Sequence, residues 1–441
     1  MVMAEEIDAR RKRVLDRIDE TRGPLLEFLA GYVRIPSVTP GSAPEDLPGE
    51  TRTCQAWLAR ELAGWGMFDT LDMWEDQPGQ PNVAAGIRSP GGSVEHALAY
   101  NGHTDTVGVS AEQRAHWVGD PWSAEIRDGR MYGRGTTDMK AGNAAFLWAM
   151  RAVHDCGFRP ASDVIATITI GEETSEAEIG PLSALRRGYR APLIVNGEPT
   201  SLRIAPAGMG WFFFRLLVEG KSLHPAARYR AVYPQPGDEP PPGVDAVEKM
   251  RMLMDAISAL ERDWALHRKH PLMPPGGMNV SPVFIQGGSL RAEMPPSCEA
   301  VFAAVVRPGD SCQGVLSEIG EAIAGVVARD SWLRVHPPTI EYPVIHAAME
   351  PLDTPITHPG VVALGDAYTK ALGGRPAYGC LPGPCDANFM AAAGETVVIF
   401  GPGDLSLGAH GTNECVPVQE VVDACKVYAS LILEWSGVVA D

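Results

Sequence analysis

The sequence predicts an α/β protein whose main domain is interrupted by a smaller inserted α+β domain. Its 441 residues are too many for one ordinary hydrophobic core, which favours two domains. Apolar, strand-like runs alternate with helical patterns up to about residue 205, and the alternation resumes after Pro355. Between them the order becomes β-α-β-β-α-β, which is typical of a separate α+β unit. We therefore predict one domain from residues 1–205 and 347–441, with residues 206–346 inserted.

The first domain begins with helices and continues with short strands that stop at turns. Apolar residues recur near a 3.6-residue period from Glu5 to about Ile35, and Gly23-Pro24 is a candidate break in this stretch. Thr53–Trp65 is a further helix candidate. Asn82–Ile87 has the composition of a strand, which we expect to pair with Ala97–Tyr100. The other strand candidates before residue 205 are Val164–Ile170 and Leu193–Val195, and Met139–Cys156 has a buried-helix pattern.

The inserted domain shows the element order of a ferredoxin-like unit. Its expected elements are strand Trp211–Val218, helix Val244–His267, strands Met278–Gln286 and Glu299–Val306, helix Ser311–Arg329 and edge strand Leu333–Tyr342. A proline-rich loop over residues 235–242 lengthens the segment before its first helix. The main domain then continues with helix Val361–Leu372, strand Thr396–Phe400 and helix Val418–Trp435.

Composition excludes several classes of function. The formal net charge of −18 argues against nucleic acid and anionic membranes as partners, because proteins bind both through Lys and Arg side chains. The N-terminal segment lacks the apolar core of a secretory signal, and no run of 18 apolar residues exists to span a membrane. The eight cysteines are scattered, so we expect reduced, mostly structural thiols and a cytoplasmic protein.

Potential metal ligands follow the strand candidates or lie in glycine-rich turns. Taken alone, a His-x-Asp sequence or a Glu-Glu pair is usually solvated surface. Their combination after successive strands indicates a functional site instead, because α/β proteins bind their ligands at the carboxyl ends of the strands. Imidazole and carboxylate are ligands for Zn²⁺, Co²⁺ and Mn²⁺. The candidates are His103, Asp105, Asp138, Glu172, Glu173, Glu198 and His410.

The joint motif set resembles the di-zinc aminoacylase and carboxypeptidase family, which includes acetylornithine deacetylase, succinyl-diaminopimelate desuccinylase, aminoacylase-1 and glutamate carboxypeptidase. The matching segments are Gly102–Val107, Gly133–Gly142, Glu172-Glu173, Gly197–Thr200 and Ala409–Glu414. The resemblance implies a zinc-exopeptidase-like catalytic domain, a mixed sheet flanked by helices, for residues 1–205 and 347–441. It implies a lid and dimerisation domain for residues 206–346.

The resemblance also implies a role for each candidate. Two divalent ions are expected, with Zn²⁺ favoured over Co²⁺ or Mn²⁺. Asp138 would bridge them, with His103 and Glu198 completing one site and Glu173 and His410 the other. Glu172 would be the general base, and it needs a turn after Gly171 to share a site with Glu173. Asp105 would orient His103, although a simple turn-forming role remains the alternative.

In the lid domain the resemblance assigns substrate contacts. His224 would steady the oxyanion in a partner's active site, unless it is only a surface histidine at a strand end. Arg307 would hold a substrate carboxylate, beside Gly287-Gly288. The sequence departs from the family's pattern before Arg307, where Ala304-Val-Val stands, and at Ala292 or Glu293, where relatives place Asn. These departures make a standard biosynthetic substrate less expected.

The resulting hypothesis is a metal-dependent hydrolase that cleaves the amide bond of an N-acyl amino acid or a related small molecule. A carboxypeptidase or dipeptidase, or a hydrolase of another C–N bond such as that of an aryl amine, is the alternative within enzymes. A non-catalytic binding protein is disfavoured because no ligand and no base is missing. The expected partners are a small substrate bearing an amide and a carboxylate, and a second copy bound through the lid domain.

Overall fold

The computed structural model describes residues 2–40, 50–233, 235–289 and 291–440. Contacts within the chain define two compact units. The first comprises Met1–Ala207, Leu352–Leu381 and Cys385–Asp441, and the second comprises Gly208–Pro351 and Pro382–Pro384. Nothing in the sequence indicated that the short segment Pro382–Pro384 would group with the second unit. The catalytic and lid roles of these parts of the chain stay predictions.

The helices are, in chain order, α1 (Val2–Glu20), α2 (Arg22–Val33), α3 (Thr51–Trp65), α4 (Ala111–His116), α5 (Ala141–Asp155), α6 (Pro181–Arg186), α7 (Arg228–Val232), α8 (Ala246–His267), α9 (Cys312–Val327), α10 (Pro359–Leu372), α11 (Asp386–Ala392) and α12 (Val418–Leu431). A π-helical turn, Thr136–Lys140, precedes α5, and another, Ile432–Ser436, follows α12.

The strands are β1 (Thr70–Gln77), β2 (Gln80–Ile87), β3 (Leu98–His103), β4 (Glu125–Arg127), β5 (Arg130–Tyr132), β6 (Phe158–Pro160), β7 (Val164–Thr169), β8 (Leu193–Asn196), β9 (Ile204–Gly208), β10 (Gly210–Glu219), β11 (Asn279–Gly287), β12 (Ser297–Val306), β13 (Thr339–Glu341), β14 (Leu352–Asp353), β15 (Tyr378–Leu381), β16 (Val397–Ile399), β17 (Cys415–Pro417) and β18 (Val438–Ala440).

The first unit is built on a nine-stranded mixed sheet with helices on both faces. The strand order is β1-β2-β7-β3-β8-β16-β9-β14, and β15 pairs with β9. β7, β3, β8 and β16 are parallel neighbours at its centre. Alternate side chains of β3 point to opposite faces, so Leu98 and Tyr100 pack with α5 and α12, whereas Ala99 packs with α6 and α11. The α/β class with a mixed sheet is thus confirmed.

Two local expectations for the first unit are wrong. Asn82–Ile87 does not pair with Ala97–Tyr100, because β7 lies between β2 and β3 and pairs with both. The N-terminal helices divide at Thr21, and Pro24 lies in the first turn of α2. A proline is tolerated there because the first N–H groups of a helix have no partner within it.

The second unit is a four-stranded antiparallel sheet, β11-β12-β10-β13, whose core packs against α8 and α9. This order is that of a ferredoxin-like fold. The last strand is shorter than expected, Thr339–Glu341, since Pro337-Pro338 supply no N–H donors for the ladder. Among the helices of the described residues, none combines the length and apolar character needed to cross a bilayer.

The close contact between α5 and the loop after β8 leads to a first prediction. A Cβ on Gly142 would lie 2.3 Å from the Gly197 carbonyl oxygen, whereas a Cβ on Gly320 in α9 would meet nothing within 4 Å. We expect Gly142→Ala to lower the free energy of unfolding by about 1–3 kcal/mol through overpacking. The matched control Gly320→Ala should raise it by about 0.4–1 kcal/mol. Urea unfolding of both variants measures this, and equal effects would contradict the packing described.

Candidate metal centre

Three candidate residues follow neighbouring parallel strands of the first unit. β3 lies between β7 and β8, so the carboxyl ends of these strands meet at one edge of the sheet. β3 ends at His103, while Glu172 and Glu198 lie shortly after β7 and β8. The turn expected after β7 is present, because Gly171 has a φ of 88° and the N–H of Glu176 bonds to its carbonyl.

Asp138 occupies the centre of this group. It lies in the π-helical turn before α5, with 8% of its surface exposed. Its Oδ1 is 3.2 Å from His103 Nε2, and its Oδ2 is 3.3 Å from His410 Nε2. One carboxylate therefore faces two imidazoles through its two oxygens, which is the geometry required of a ligand that bridges two cations.

Each imidazole faces a second carboxylate. His103 Nε2 is 3.5 Å from Glu198 Oε1, and His410 Nε2 is 3.0 Å from Glu173 Oε2. The His103 side chain is completely buried, whereas 56% of the His410 side chain is exposed. The group consequently has an enclosed half around His103 and a half around His410 that opens to solvent.

The spacing of the ligand atoms fits two divalent ions. An ion bonded to nitrogen and oxygen at about 2.0–2.1 Å in tetrahedral geometry holds its ligand atoms about 3.3–3.4 Å apart. The nitrogen–oxygen distances in the two halves are 3.2 and 3.5 Å around His103, and 3.3 and 3.0 Å around His410. The donor set also fits, since imidazole and carboxylate together suit Zn²⁺, Co²⁺ and Mn²⁺.

The electrostatics of the group favour cations. Burial raises the pKa of Glu198 well above its usual range, and the Asp138 carboxylate adds to the effect. Burial also raises the pKa of Glu172 strongly, although His103 opposes this. Hydrogen bonds to Asp138 and Glu173 raise the pKa of His410 to about 10. Four carboxylates thus share the site with two imidazoles, and positive charge placed within it would stabilise the ionised form of the buried carboxylates.

The second ring nitrogen of His103 is held so that Nε2 can act as a ligand. His103 Nδ1 lies 2.8 Å from the backbone carbonyl of Asp105, which can only accept a hydrogen bond. Nδ1 therefore carries the proton in the neutral ring and Nε2 keeps its lone pair. The Asp105 carboxylate is farther away, 3.7 Å from Nδ1, and its Oδ2 accepts the backbone N–H of Glu173 at 3.3 Å. Asp105 thus contacts ligands of both halves.

Glu414 fixes the turn that carries Asp138, a function that sequence reasoning did not assign to it. Its fully buried carboxylate accepts hydrogen bonds from the backbone N–H groups of Gly135, Thr137 and Asp138 at 2.9–3.1 Å. Arg134 Nη1 bonds to it at 2.6 Å, and Arg134 Nη2 bonds to the Gly411 carbonyl. The only signal in the sequence was its place at the end of the matching segment Ala409–Glu414. The pair links the loop of His410 to the turn of Asp138.

The other candidates lie in the second unit. His224 is at the start of a 3₁₀ turn, where its Nδ1 accepts the N–H of Ala226. Gly287 ends β11, and Gly288 follows it with a φ of 76°. Arg307 donates two hydrogen bonds to the Asp310 carboxylate, at 3.1 and 2.8 Å, and a third to the Lys269 carbonyl.

The loop after Gly288, where the sequence departs from the resembled family, is stabilised by Glu293. The Glu293 carboxylate accepts a hydrogen bond from Ser289 at 3.0 Å and another from Ser222 at 3.3 Å. A glutamate therefore bonds Ser289 and Ser222 near the position where the resembled family has an asparagine. Ala292, the neighbouring residue, has no side-chain polar group with which to do so.

Comparison with known proteins gives one consistent result. The family model described as "Peptidase family M20/M25/M40" matches residues 99–434. An N-formyl-4-amino-5-aminomethyl-2-methylpyrimidine deformylase of Halalkalibacterium halodurans is 28% identical over 433 residues, which is 96% of this chain and 97% of that protein. An acetylornithine deacetylase of Proteus mirabilis is 26% identical over 92% of this chain and 95% of its own. The crystal structure of human carnosine dipeptidase 1 has a similar fold, with a TM-score of 0.65 at 17% identity, covering 97% of this chain and 98% of its own.

The Arg134–Glu414 pair leads to a second prediction. Glu414→Gln leaves the buried guanidinium without a counter-charge and turns an amide NH₂ toward backbone donors. We expect the free energy of unfolding to fall by about 3–5 kcal/mol. Chemical denaturation measures the effect. Asp255→Asn, which breaks the exposed Arg251–Asp255 pair of α8, is the control and should change stability by less than about 1 kcal/mol. Similar small effects of both substitutions would show that the buried pair does not hold the turn.

Proposed function

Because this chain belongs to the peptidase family M20/M25/M40, it is a hydrolase of amide bonds, and we propose that its substrate is a small N-acylated amine. The observation that carries the proposal is the position of Asp138 between His103 and His410, with one carboxylate oxygen toward each imidazole. Amide hydrolysis needs a polarised carbonyl and an activated water, and a pair of cations at such a carboxylate supplies both.

Two divalent ions are assigned to the site, with Zn²⁺ favoured by its affinity for imidazole and with Co²⁺ and Mn²⁺ as alternatives. His103, Asp138 and Glu198 would hold one ion, and Asp138, Glu173 and His410 the other. When bound, the ions would polarise the scissile carbonyl and lower the pKa of water. His103 presents Nε2 to the site because the Asp105 carbonyl accepts its Nδ1 proton.

Glu172 is assigned the role of general base. Its Oε2 is 3.9 Å from His103 Nε2, farther than the ligand oxygens of Asp138 and Glu198, so its carboxylate remains available for proton transfer. The side chain is 17% exposed, which lets water reach it. It would take the proton from the attacking water and deliver it to the nitrogen of the leaving amine as the C–N bond breaks.

The contacts of Arg307 bear on the substrate. Asp310 already occupies the parallel Nε and Nη2 donors of Arg307, and Nη1 donates to the Lys269 carbonyl, so a substrate carboxylate would have to compete with Asp310 for that pair of donors. We therefore propose that the preferred substrate is an N-acylated amine without a carboxylate at that position. The similarity to a deformylase of an aminomethyl pyrimidine supports this choice. An N-acyl amino acid, or a dipeptide, remains the alternative, with Arg307 and Gly287-Gly288 as its binding residues.

A homodimer formed through the second unit is also proposed. β11 is an edge strand, and Val283, Phe284 and Ile285 on it are about half exposed. An edge with apolar side chains and unpaired backbone groups can pair with the same edge of another copy. In such a dimer His224 would act on the tetrahedral oxyanion in the partner's site. The cytoplasmic location expected from the sequence remains a proposal as well.

The assignment of Glu172 leads to a third prediction. Glu172→Gln keeps the size of the side chain but cannot accept the proton, so kcat should fall by about 10²–10⁴-fold while divalent ions still bind. Amine release and metal content of the same preparation measure the two effects. The control is Glu176→Gln, which removes an exposed carboxylate four residues farther along the same loop and should leave kcat unchanged. An active Glu172→Gln variant would contradict the mechanism.

The contacts of Arg307 lead to a fourth prediction, tested with Zn²⁺-, Co²⁺- and Mn²⁺-loaded protein. An N-formyl aminomethyl pyrimidine should be cleaved with a higher kcat/KM than N-acetyl or N-succinyl amino acids and dipeptides. Asp310→Asn, which removes the counter-charge of Arg307 and one of the two acceptor oxygens, should improve kcat/KM for the carboxylate-bearing substrates alone. Faster cleavage of an N-acyl amino acid by the unaltered enzyme would overturn the proposed substrate while leaving the metal chemistry intact.

A further inference from the structure

A row of buried polar side chains crosses the sheet just before the metal centre. It consists of Thr169 on β7, Asn101 on β3 and Asn196 on β8, and we call it the amide ladder. These residues are 0%, 1% and 0% exposed. Asn101 and Asn196 are direct partners in the parallel register of β3 and β8.

The ladder is connected by side-chain hydrogen bonds. Asn196 Nδ2 donates to Asn101 Oδ1 at 3.1 Å, and Asn101 Nδ2 donates to Thr169 Oγ1 at 3.1 Å. Asn196 Oδ1 accepts the backbone N–H of Glu198 at 3.4 Å and lies 3.8 Å from the Cys385 thiol. At the other end, the Thr169 hydroxyl lies 3.4 Å from Asp386 Oδ2. These side-chain bonds add to the backbone pairing of the three strands, which continues through Thr104 N–H to the Thr169 carbonyl and through Gly197 N–H to the Asn101 carbonyl.

Each member of the ladder stands shortly before a residue of the metal centre. The sequence repeats as Asn101-Gly-His103 and Asn196-Gly-Glu198, so each asparagine precedes a candidate ligand by two positions. In β3, residues two apart lie on the same face, so the Asn101 side chain lies on the side of the sheet that carries His103. Thr169 precedes Glu172 by three positions.

Packing gives no reason for amides at these positions. A buried amide costs free energy unless it is hydrogen-bonded, whereas an aliphatic side chain of similar volume would need no partner. The residues two positions earlier on the same face of β3 and β8, Ala99 and Ile194, are aliphatic. A row of hydrogen bonds fixes the lateral and rotational position of each strand end, which aliphatic packing does not.

We propose that the amide ladder positions the half of the metal centre formed by His103 and Glu198. The proposal rests on the proposed function, since it assumes two cations at Asp138. The other half is held by different contacts, because Asp105 bonds the backbone of Glu173 and the Arg134–Glu414 pair supports the loop of His410. Asn101 and Asn196 are therefore positioning residues for one cation of the two.

The test uses variants that separate stability from positioning. Asn101→Leu alone leaves the Asn196 amide without its acceptor, so it should destabilise the protein. Asn101→Leu with Asn196→Leu removes both partners of this bond and should recover part of the lost stability, because the Glu198 N–H also loses its acceptor. Thr169→Val is a milder variant that removes one hydroxyl. Gln55→Met is the control, since Gln55 is a fully buried amide whose hydrogen bond goes to the Ile168 carbonyl of β7 and not to a ladder side chain.

Metal affinity is measured in two backgrounds that each retain one half of the centre. The probe is Co²⁺ alone, titrated into metal-free full-length protein and followed by its visible absorption. In Glu173→Ala, which keeps the His103 half, the double Leu variant should bind Co²⁺ about 10–100-fold more weakly. In Glu198→Ala, which keeps the His410 half, the same substitutions should change the Co²⁺ affinity less than about threefold. The reason is that the ladder does not support the ligands of that half.

Each outcome decides the proposal. Unchanged Co²⁺ affinity in the Glu173→Ala background, or equal weakening in both backgrounds, overturns the selective role of the ladder. If the double variant does not fold, Thr169→Val must show the same selectivity on a smaller scale, and its failure to do so also overturns the proposal. An unaltered chain that binds fewer than two equivalents of Co²⁺ would overturn the proposed function together with the ladder. Two tight equivalents with an insensitive ladder would overturn the ladder alone.

Discussion

The concentration of buried carboxylates at the ends of three parallel strands is the constraint on which this structure depends. Asp138, Glu172 and Glu198 lie within 3.9 Å of His103, and a ligand atom of Glu173 lies within 4.8 Å of those of His103 and Asp138. Buried carboxylates are unfavourable unless they are paired, and the raised pKa values of Glu172 and Glu198 express that cost. A pair of divalent cations would favour the ionised form of these carboxylates and offset the cost of burying them.

The surrounding polar contacts follow from this constraint. Carboxylates that repel one another must be held by the backbone that carries them, and each half of the site is held differently. The turn of Asp138 is bonded by Glu414, whose own charge is paired with Arg134. The strands that lead to His103 and Glu198 are joined through the amide ladder. A cation beside His103 would be enclosed by these contacts, whereas one beside His410 would face solvent.

The sequence predicted the fold class correctly because strands and helices leave local signals, and the ligand set that it suggests stays a prediction. Strand ends marked by glycine, with His or Glu directly after them, identify where ligands emerge. The order of strands in the sheet was harder to predict from the sequence, since β7 lies between β2 and β3 although it follows both in the chain. Hydrogen bonds between side chains that are far apart in the chain could not be predicted from the sequence at all. The bond from Glu414 to the turn of Asp138 spans 276 residues, and the Asn101–Asn196 bond spans 95, so neither leaves a local pattern. Arg307 could be located from its motif, and its partner Asp310 lies only three positions later in the same turn.

Anomalous X-ray diffraction from crystals grown with Zn²⁺ tests the central claim most directly. The account predicts two Zn²⁺ peaks about 3.5–4 Å apart, one on each side of the Asp138 carboxylate. One peak should lie against His103 and Glu198, and the other against Glu173 and His410. A single peak, or two peaks that do not share Asp138, would contradict the assignment of this carboxylate as the bridge between two cations.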